Sequence, residues 1–166
     1  MKKYFVYLIS ILLIASTTNS CKHTKNTDEK QKHSHKTTNN QNINLKKLQP
    51  YVLETYKDGK IKKIKYFEIK NEKKVFKYYK ELYPDGSTKI EGPLKNNQRE
   101  GHWIYFYDNG VKWSEGNYIN GKAVGKFTIR YKDGNLWEEI YYKQGVKSKE
   151  VVYDKNGKVV DERKYQ

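Results

Sequence analysis

The chain has 166 residues, with 34 Lys and Arg against 19 Asp and Glu, and one Cys. That length fits one ordinary domain and excludes a large multidomain enzyme. A single Cys excludes an internal disulfide framework and every zinc site built on two thiolates, and a net charge of +15 favours acidic partners or anionic surfaces.

Met1-Lys2-Lys3 is a short positive segment. Tyr4 to Ala15 follows as an apolar run, then the small polar residues Ser16 to Ser20, then Cys21. A spanning helix needs roughly 20 apolar residues, so the run has the length of the apolar part of a secretory signal. The lone Cys stands directly after Ser20, which resembles the bacterial lipoproteins cleaved and lipidated at such a cysteine, although Thr18-Asn19-Ser20-Cys21 lacks the Leu usual three places before it. The pattern predicts a signal peptide over 1–20 and Cys21 as the lipidation site. The membrane is then a partner held through acyl chains, each buried CH₂ contributing about 0.8 kcal/mol. Lys22 follows Cys21, so an acidic inner-membrane retention signal is missing. That points to the cell envelope, as an outer-membrane or periplasm-facing lipoprotein.

Residues 21–49 carry seven basic and two acidic side chains, no Phe, Tyr or Trp, and only Ile43, Leu45 and Leu48 as large apolar residues. Such a stretch buries too little surface to offset its ordering entropy and reads as a disordered basic tether, with a mean reach of roughly 30 Å. His33-Ser34-His35 and the nearby His23 invite a metal reading. Two imidazoles on a flexible strand lack the fixed geometry and supporting hydrogen bonds of a defined site, so no metal and no cofactor is expected.

Residues 50–166 repeat. Aromatic-X-(Asp/Asn)-Gly units or close variants end at Gly59, Gly86, Gly110, Gly134 and Gly157, and internal periodicity of this kind takes precedence over local propensity. A shift of one period, from Gly110 to Gly134, places Glu91-Gly92 on Glu115-Gly116, Gly101 on Gly125, Trp103 on Phe127, and Trp113 on Trp137. A second turn falls midway in each period, at Asn96-Asn97, Asn120-Gly121 and Gln144-Gly145. Asp-Gly and Asn-Gly signal type I′ hairpins, which need positive φ at both central residues. The segments between are short runs of Tyr, Ile, Val, Lys and Trp, of strand length and composition. The expectation is an all-β fold: an elongated, single-sheet antiparallel β-meander of repeated hairpins with nine or ten strands, preceded by the signal peptide and the tether.

Alternation along these strands sets Trp103, Tyr105 and Tyr107 on one face, followed one period later by Phe127, Ile129 and Tyr131. With Trp113 and Trp137 on the returning strands, these eight residues form the candidate binding surface. Leu, Ile, Val and Phe supply only 25 of the 117 residues from 50 onward, against 14 Tyr and 3 Trp. Those rings must therefore also help to hold a thin sheet together.

Gly101-His102-Trp103-Ile104-Tyr105-Phe106-Tyr107-Asp108-Asn109-Gly110 and the run Glu115 to Phe127 resemble the MORN-repeat variant found in bacteria, strongly over 83–145 and more weakly on either side. The resemblance implies a β-meander used as a binding surface, with no common catalytic residue. It also brings the YwqK-type antitoxin label, and with it an antitoxin or immunity role as an alternative.

Catalysis is not expected. The domain has no Cys and one His, His102, and it lacks a nucleophile elbow, a Walker loop and H-E-x-x-H. Glu138-Glu139 and Asp161-Glu162 are adjacent on strands and so point to opposite faces. Glu91, Glu115 and Glu139 recur in register among lysines and read as a solvated ion-pair ladder. Export and the acidic residues mixed through the strands argue against nucleic acid as partner, and against a small-molecule substrate there is the lack of any catalytic or cofactor motif. A protein partner, acidic in character, or an anionic surface is left as the expectation. Binding by the aromatic and basic face to nucleic acid or glycan is a further alternative.

Overall fold

A computed structural model describes residues 43–166; the signal peptide, Cys21, His23, His33, His35 and most of the tether lie outside the described residues. Asn44 caps a 3₁₀ turn, Leu45–Lys47, by accepting the Lys46 N–H at 3.1 Å. Eleven strands follow: β1 (Gln49–Thr55), β2 (Ile61–Lys70), β3 (Lys73–Leu82), β4 (Thr88–Lys95), β5 (Gln98–Arg99), β6 (Gly101–Phe106), β7 (Lys112–Ile119), β8 (Lys122–Arg130), β9 (Leu136–Lys143), β10 (Val146–Tyr153) and β11 (Val159–Lys164). Ten of them pair in chain order in one open antiparallel sheet, with the two-residue β5 paired to β4. The all-β meander read from the repeat is the fold, and no α-helix occurs among the described residues.

The last residues of the basic segment pack on this sheet. Gln49 pairs with Phe67, and Ile43, Leu45 and Leu48 are half-buried. They line one groove with Tyr78, Ile104 and Ile119. The only large apolar residues of the segment thus close against the sheet, which an average over its whole composition conceals.

The turns differ from the expected type. After Tyr56, Tyr83, Tyr107 and Tyr131 the central residues keep negative φ and only the Gly turns positive, from +82° to +92°. In the first, Gly59 N–H donates to the Tyr56 carbonyl at 3.0 Å and Tyr56 N–H to the Lys60 carbonyl at 2.8 Å. This is a three-residue type I turn closed by a Gly bulge. The Asp or Asn before the Gly has its own task, accepting the N–H two residues on: Asp58 from Lys60, Asp85 from Ser87, Asn109 from Val111, Asp133 from Asn135. True type I′ turns occupy the midway positions, where Asn96 and Asn97 (φ 50° and 63°) and Asn120 and Gly121 (48° and 78°) are both positive.

A row of alternating bulk crosses the sheet. Tyr79 pairs with Gly92, Trp103 with Gly116, Phe127 with Ile140, and Ile140 with Glu150. Trp103 is 2% exposed and Phe127 7%. Each ring lies flat over a glycine of the neighbouring strand before it: a Cβ on Gly92 would sit 2.3 Å from Trp103 Cδ2, and one on Gly116 2.4 Å from Phe127 Cγ. In the next period Ile140 stands where those glycines stood, and the residue facing it is Glu150, with no ring. The glycines therefore make room for rings. Trp103 is stacked on Tyr79 with centroids 5.8 Å apart, meets Tyr118 edge-on at 6.2 Å, and donates its indole N–H to the Pro93 carbonyl at 3.0 Å. A single sheet buries a Trp here because neighbouring long side chains form its second layer.

Candidate functional site: an aromatic edge on bulged strands

Each long hairpin carries a bulge shortly after its turn Gly. Pairing skips Lys62, Lys89, Trp113, Trp137 and Val160 in successive periods. In the first four hairpins the skipped residue lies against the turn tyrosine of its own hairpin. Lys62 Nζ is 5.7 Å from the Tyr56 centroid and Lys89 Nζ 5.9 Å from that of Tyr83. Trp113 lies 6.2 Å from Tyr107, and Trp137 stacks on Tyr131 at 5.6 Å and 26°. The turn tyrosine is held from its far end as well. Tyr56 donates its hydroxyl to the Leu82 carbonyl (2.7 Å), Tyr83 to Phe106 (2.8 Å), Tyr107 to Arg130 (2.9 Å) and Tyr131 to Tyr153 (3.4 Å). Every acceptor is the last residue before the next period's turn, so these hydroxyls tie each hairpin to its successor.

The eight residues of the predicted binding surface accordingly separate. Trp103 and Phe127 are core and offer a partner no surface, because the glycine row draws their rings down onto the sheet. Tyr107 and Tyr131 are half-buried turn tyrosines with their hydroxyls committed. Tyr105 and Ile129 are half-buried on the ring face; Tyr105 meets Trp113 edge-on at 6.1 Å. Trp113 and Trp137 remain exposed, at 42% and 39%, since a bulge turns its extra residue away from the ladder.

Arg99 was not among the residues expected from the sequence. Its guanidinium carbon lies 4.6, 5.2 and 5.7 Å from the ring centroids of Trp103, Tyr118 and Tyr105. Its Nη1 donates to the hydroxyls of Tyr105 and Tyr118, the latter at 3.1 Å. Burial, and then the Tyr118 hydroxyl, push the Tyr105 hydroxyl well above its ordinary pKa, so it meets the cation as a neutral group. The signal in the sequence was the departure from repeat: position 99 is Arg where position 123 is Ala.

The opposite face carries the acidic row. Glu91 pairs with Lys80 at 2.9 Å, Glu139 with Lys126 at 2.6 Å, and Glu115 with Lys112 at 2.9 Å and His102 at 3.3 Å. Burial works to raise the Glu115 carboxyl, but Lys112 and His102 outweigh it and hold it below the usual carboxylate range. Glu138, on the other face from Glu139, is 9% exposed, and burial together with the nearby Glu150 pushes its carboxyl up to about 7. Lys147 and Tyr165, both hydrogen-bonded to Glu150, hold that partner low. Among the described residues no group of His, Cys, Asp or Glu is placed to hold a metal ion.

Two consecutive stretches, residues 99–120 and 123–144, match the family model described as MORN repeat variant, which supports a MORN-repeat protein. They run from the last residue of β5 through β7 and from the second residue of β8 through β9, and so take in Arg99, Trp113 and Trp137. No curated protein matches the chain.

Proposed function

We propose that this protein is a lipid-anchored lipoprotein of the cell envelope that works by binding, without catalysis, and that the bulge edge bearing Trp113 and Trp137 docks an acidic protein partner. The observation that carries the reading is the exchange of Lys for Trp at one structural position. Lys62 and Lys89 serve the bulge and cover the turn tyrosine in the first two periods. The fold therefore does not require an indole there, yet the two periods that match the repeat family each expose one. Exposed aromatic residues are enriched at interface centres. The excess of base over acid, 25 against 17 side chains over residues 50–166, supplies the complementary field for an acidic partner. The cleavage-site pattern ending at Cys21 supports anchoring.

The test transplants the fold's own alternative. Trp113→Lys with Trp137→Lys copies the earlier periods and should leave the circular dichroism spectrum and thermal midpoint close to wild type. Crosslinked capture from native membranes should yield an acidic protein with the wild type and lose it with the double variant. Raising salt to about 0.5 M, where charge attraction is screened within a few ångströms, should release it. A partner retained by the folded double variant, or one indifferent to salt, refutes the docking reading. Cys21→Ser should move the protein out of the membrane fraction; a variant that stays there refutes the anchor.

A further inference from the structure

The chain has three arginines. Arg163 lies 2.6 Å from Asp161 and Arg130 4.0 Å from Glu115, whereas Arg99 has no carboxylate at salt-bridge distance among the described residues. A guanidinium offers five N–H donors in a planar fork. In Arg99 one nitrogen, Nη1, serves the two tyrosine hydroxyls, and no described acceptor meets Nε or Nη2. The residue is half-buried and every fully buried polar side-chain atom among the described residues is satisfied, so the free edge of the fork is not sealed from solvent.

That edge is held in place from both ends. The Arg99 backbone pairs with Leu94, and its carbonyl accepts the Gly121 N–H at 2.9 Å. Three rings then fix the head. The repeat shows that the hairpin does not need this cation. Ala123 occupies the same place one period on, and its carbonyl accepts the Gly145 N–H at 2.8 Å in the same manner. Tyr105, which accepts from Arg99, is the ring that meets Trp113, so the fork and the exposed indole share one surface.

We propose that Arg99 is the anion-recognition point of this surface, its Nε and Nη2 edge taking the carboxylate of an Asp or Glu side chain from the docked partner. The proposal rests on the docking reading above and names what that partner must supply: an acidic side chain beside an apolar one that reaches Trp113. A fork whose head and backbone are already fixed loses little entropy on pairing, and a charge-assisted bidentate contact is among the stronger single hydrogen-bonded pairs.

Three arginines make the experiment simple to read. The full chain, ¹⁵N-labelled in phosphatidylcholine nanodiscs, should give three arginine Nε–H signals. A synthetic peptide of alternating Glu and Leu is titrated in, and inorganic phosphate at equal concentration in a separate arm. The Arg99 signal should shift saturably with the peptide while Arg130 and Arg163 stay in place, and phosphate should leave all three unmoved. Arg99→Lys keeps the charge and the cation–ring contact but removes the fork. It should weaken peptide binding at least tenfold with the thermal midpoint retained. Three signals moving together, an unmoved Arg99, an equal response to phosphate, or full affinity in the folded Arg99→Lys variant would each overturn the assignment. Partner capture by the Trp113→Lys, Trp137→Lys protein is scored separately. Its loss beside an unmoved Arg99 refutes this site alone, whereas its retention beside a shifted Arg99 refutes the docking edge.

Discussion

Gly116→Ala tests the packing logic of the whole sheet. The added methyl would lie 2.4 Å from Phe127 Cγ and 2.5 Å from both Cδ atoms, well inside ordinary contact. The clash cannot be relieved by a flexible tip, because the atoms met are the root of a ring that is itself 7% exposed. The ring meets Tyr118 at 5.4 Å and Tyr142 at 5.1 Å, so its displacement is passed to both neighbours. Overpacking of this kind costs about 1–3 kcal/mol. With urea dependence of about 1–3 kcal/mol per molar, the unfolding midpoint should fall by roughly 1 M. Coupling is expected as well. In Gly116→Ala with Phe127→Leu the narrower side chain clears the methyl, so the pair should cost clearly less than the two single changes summed. Equilibrium urea unfolding followed by tyrosine and tryptophan fluorescence measures all four proteins. A Gly116→Ala midpoint equal to wild type, or strict additivity in the double variant, would refute the claim that these glycines exist to seat rings.

Tyr83→Phe removes a hydroxyl that donates to the Phe106 carbonyl at 2.8 Å, and should cost about 1 kcal/mol; Tyr131→Phe, whose bond is 3.4 Å, should cost less. Equal losses in urea unfolding would contradict the inter-period tie. The Glu138 carboxyl, raised to about 7 from an ordinary 4.5, faces Glu150, Lys147 and Arg163. A carboxyl whose pKa is raised by folding stabilises the fold fully below its unfolded value. That contribution is lost as pH climbs from there through about 7, at about 1.4 kcal/mol for each tenfold difference in proton affinity between the folded and unfolded chain. Urea midpoints should therefore decline between pH 5 and pH 8, and Glu138→Gln should flatten the decline; the same slope in both proteins would refute the assignment.

Much of the fold was legible because its signals are redundant. The period, the Gly positions and the strand-length segments all say hairpin, and the structure agrees on a path of ten strands and on their order. The mistaken turn type has a local cause. Asp-Gly serves a type I′ turn or the end of a type I turn with a Gly bulge equally well, and only the aromatic two positions before the Asp, with its committed carbonyl, separates them. The packing of Ile43, Leu45 and Leu48 was hidden for a different reason: three residues are too few to change a composition, yet their spacing suffices to line one side of a groove.

The candidate site was harder to read, and the reason lies in how a single sheet economises on rings. Alternation sorts residues by face, but in one layer the same face holds both the core and the surface. Trp103, Tyr105, Trp113 and Phe127 belong to one residue class and one expected surface. What separates them is whether the ring is seated on a Gly, as for Trp103 and Phe127, or whether the position is a bulge, as for Trp113 and Trp137. These clues, and that of Arg99, were present as three departures within the repeat: Gly92 and Gly116 give way to Ile140, Lys62 and Lys89 to Trp113 and Trp137, and Arg99 to Ala123. In a repeat protein, what recurs is what the fold demands of every period. Function has to be sought where equivalent positions differ although the backbone around them does not, and by that criterion Trp113, Trp137 and Arg99 stand apart from Trp103 and Phe127, whose bulk the glycine row explains.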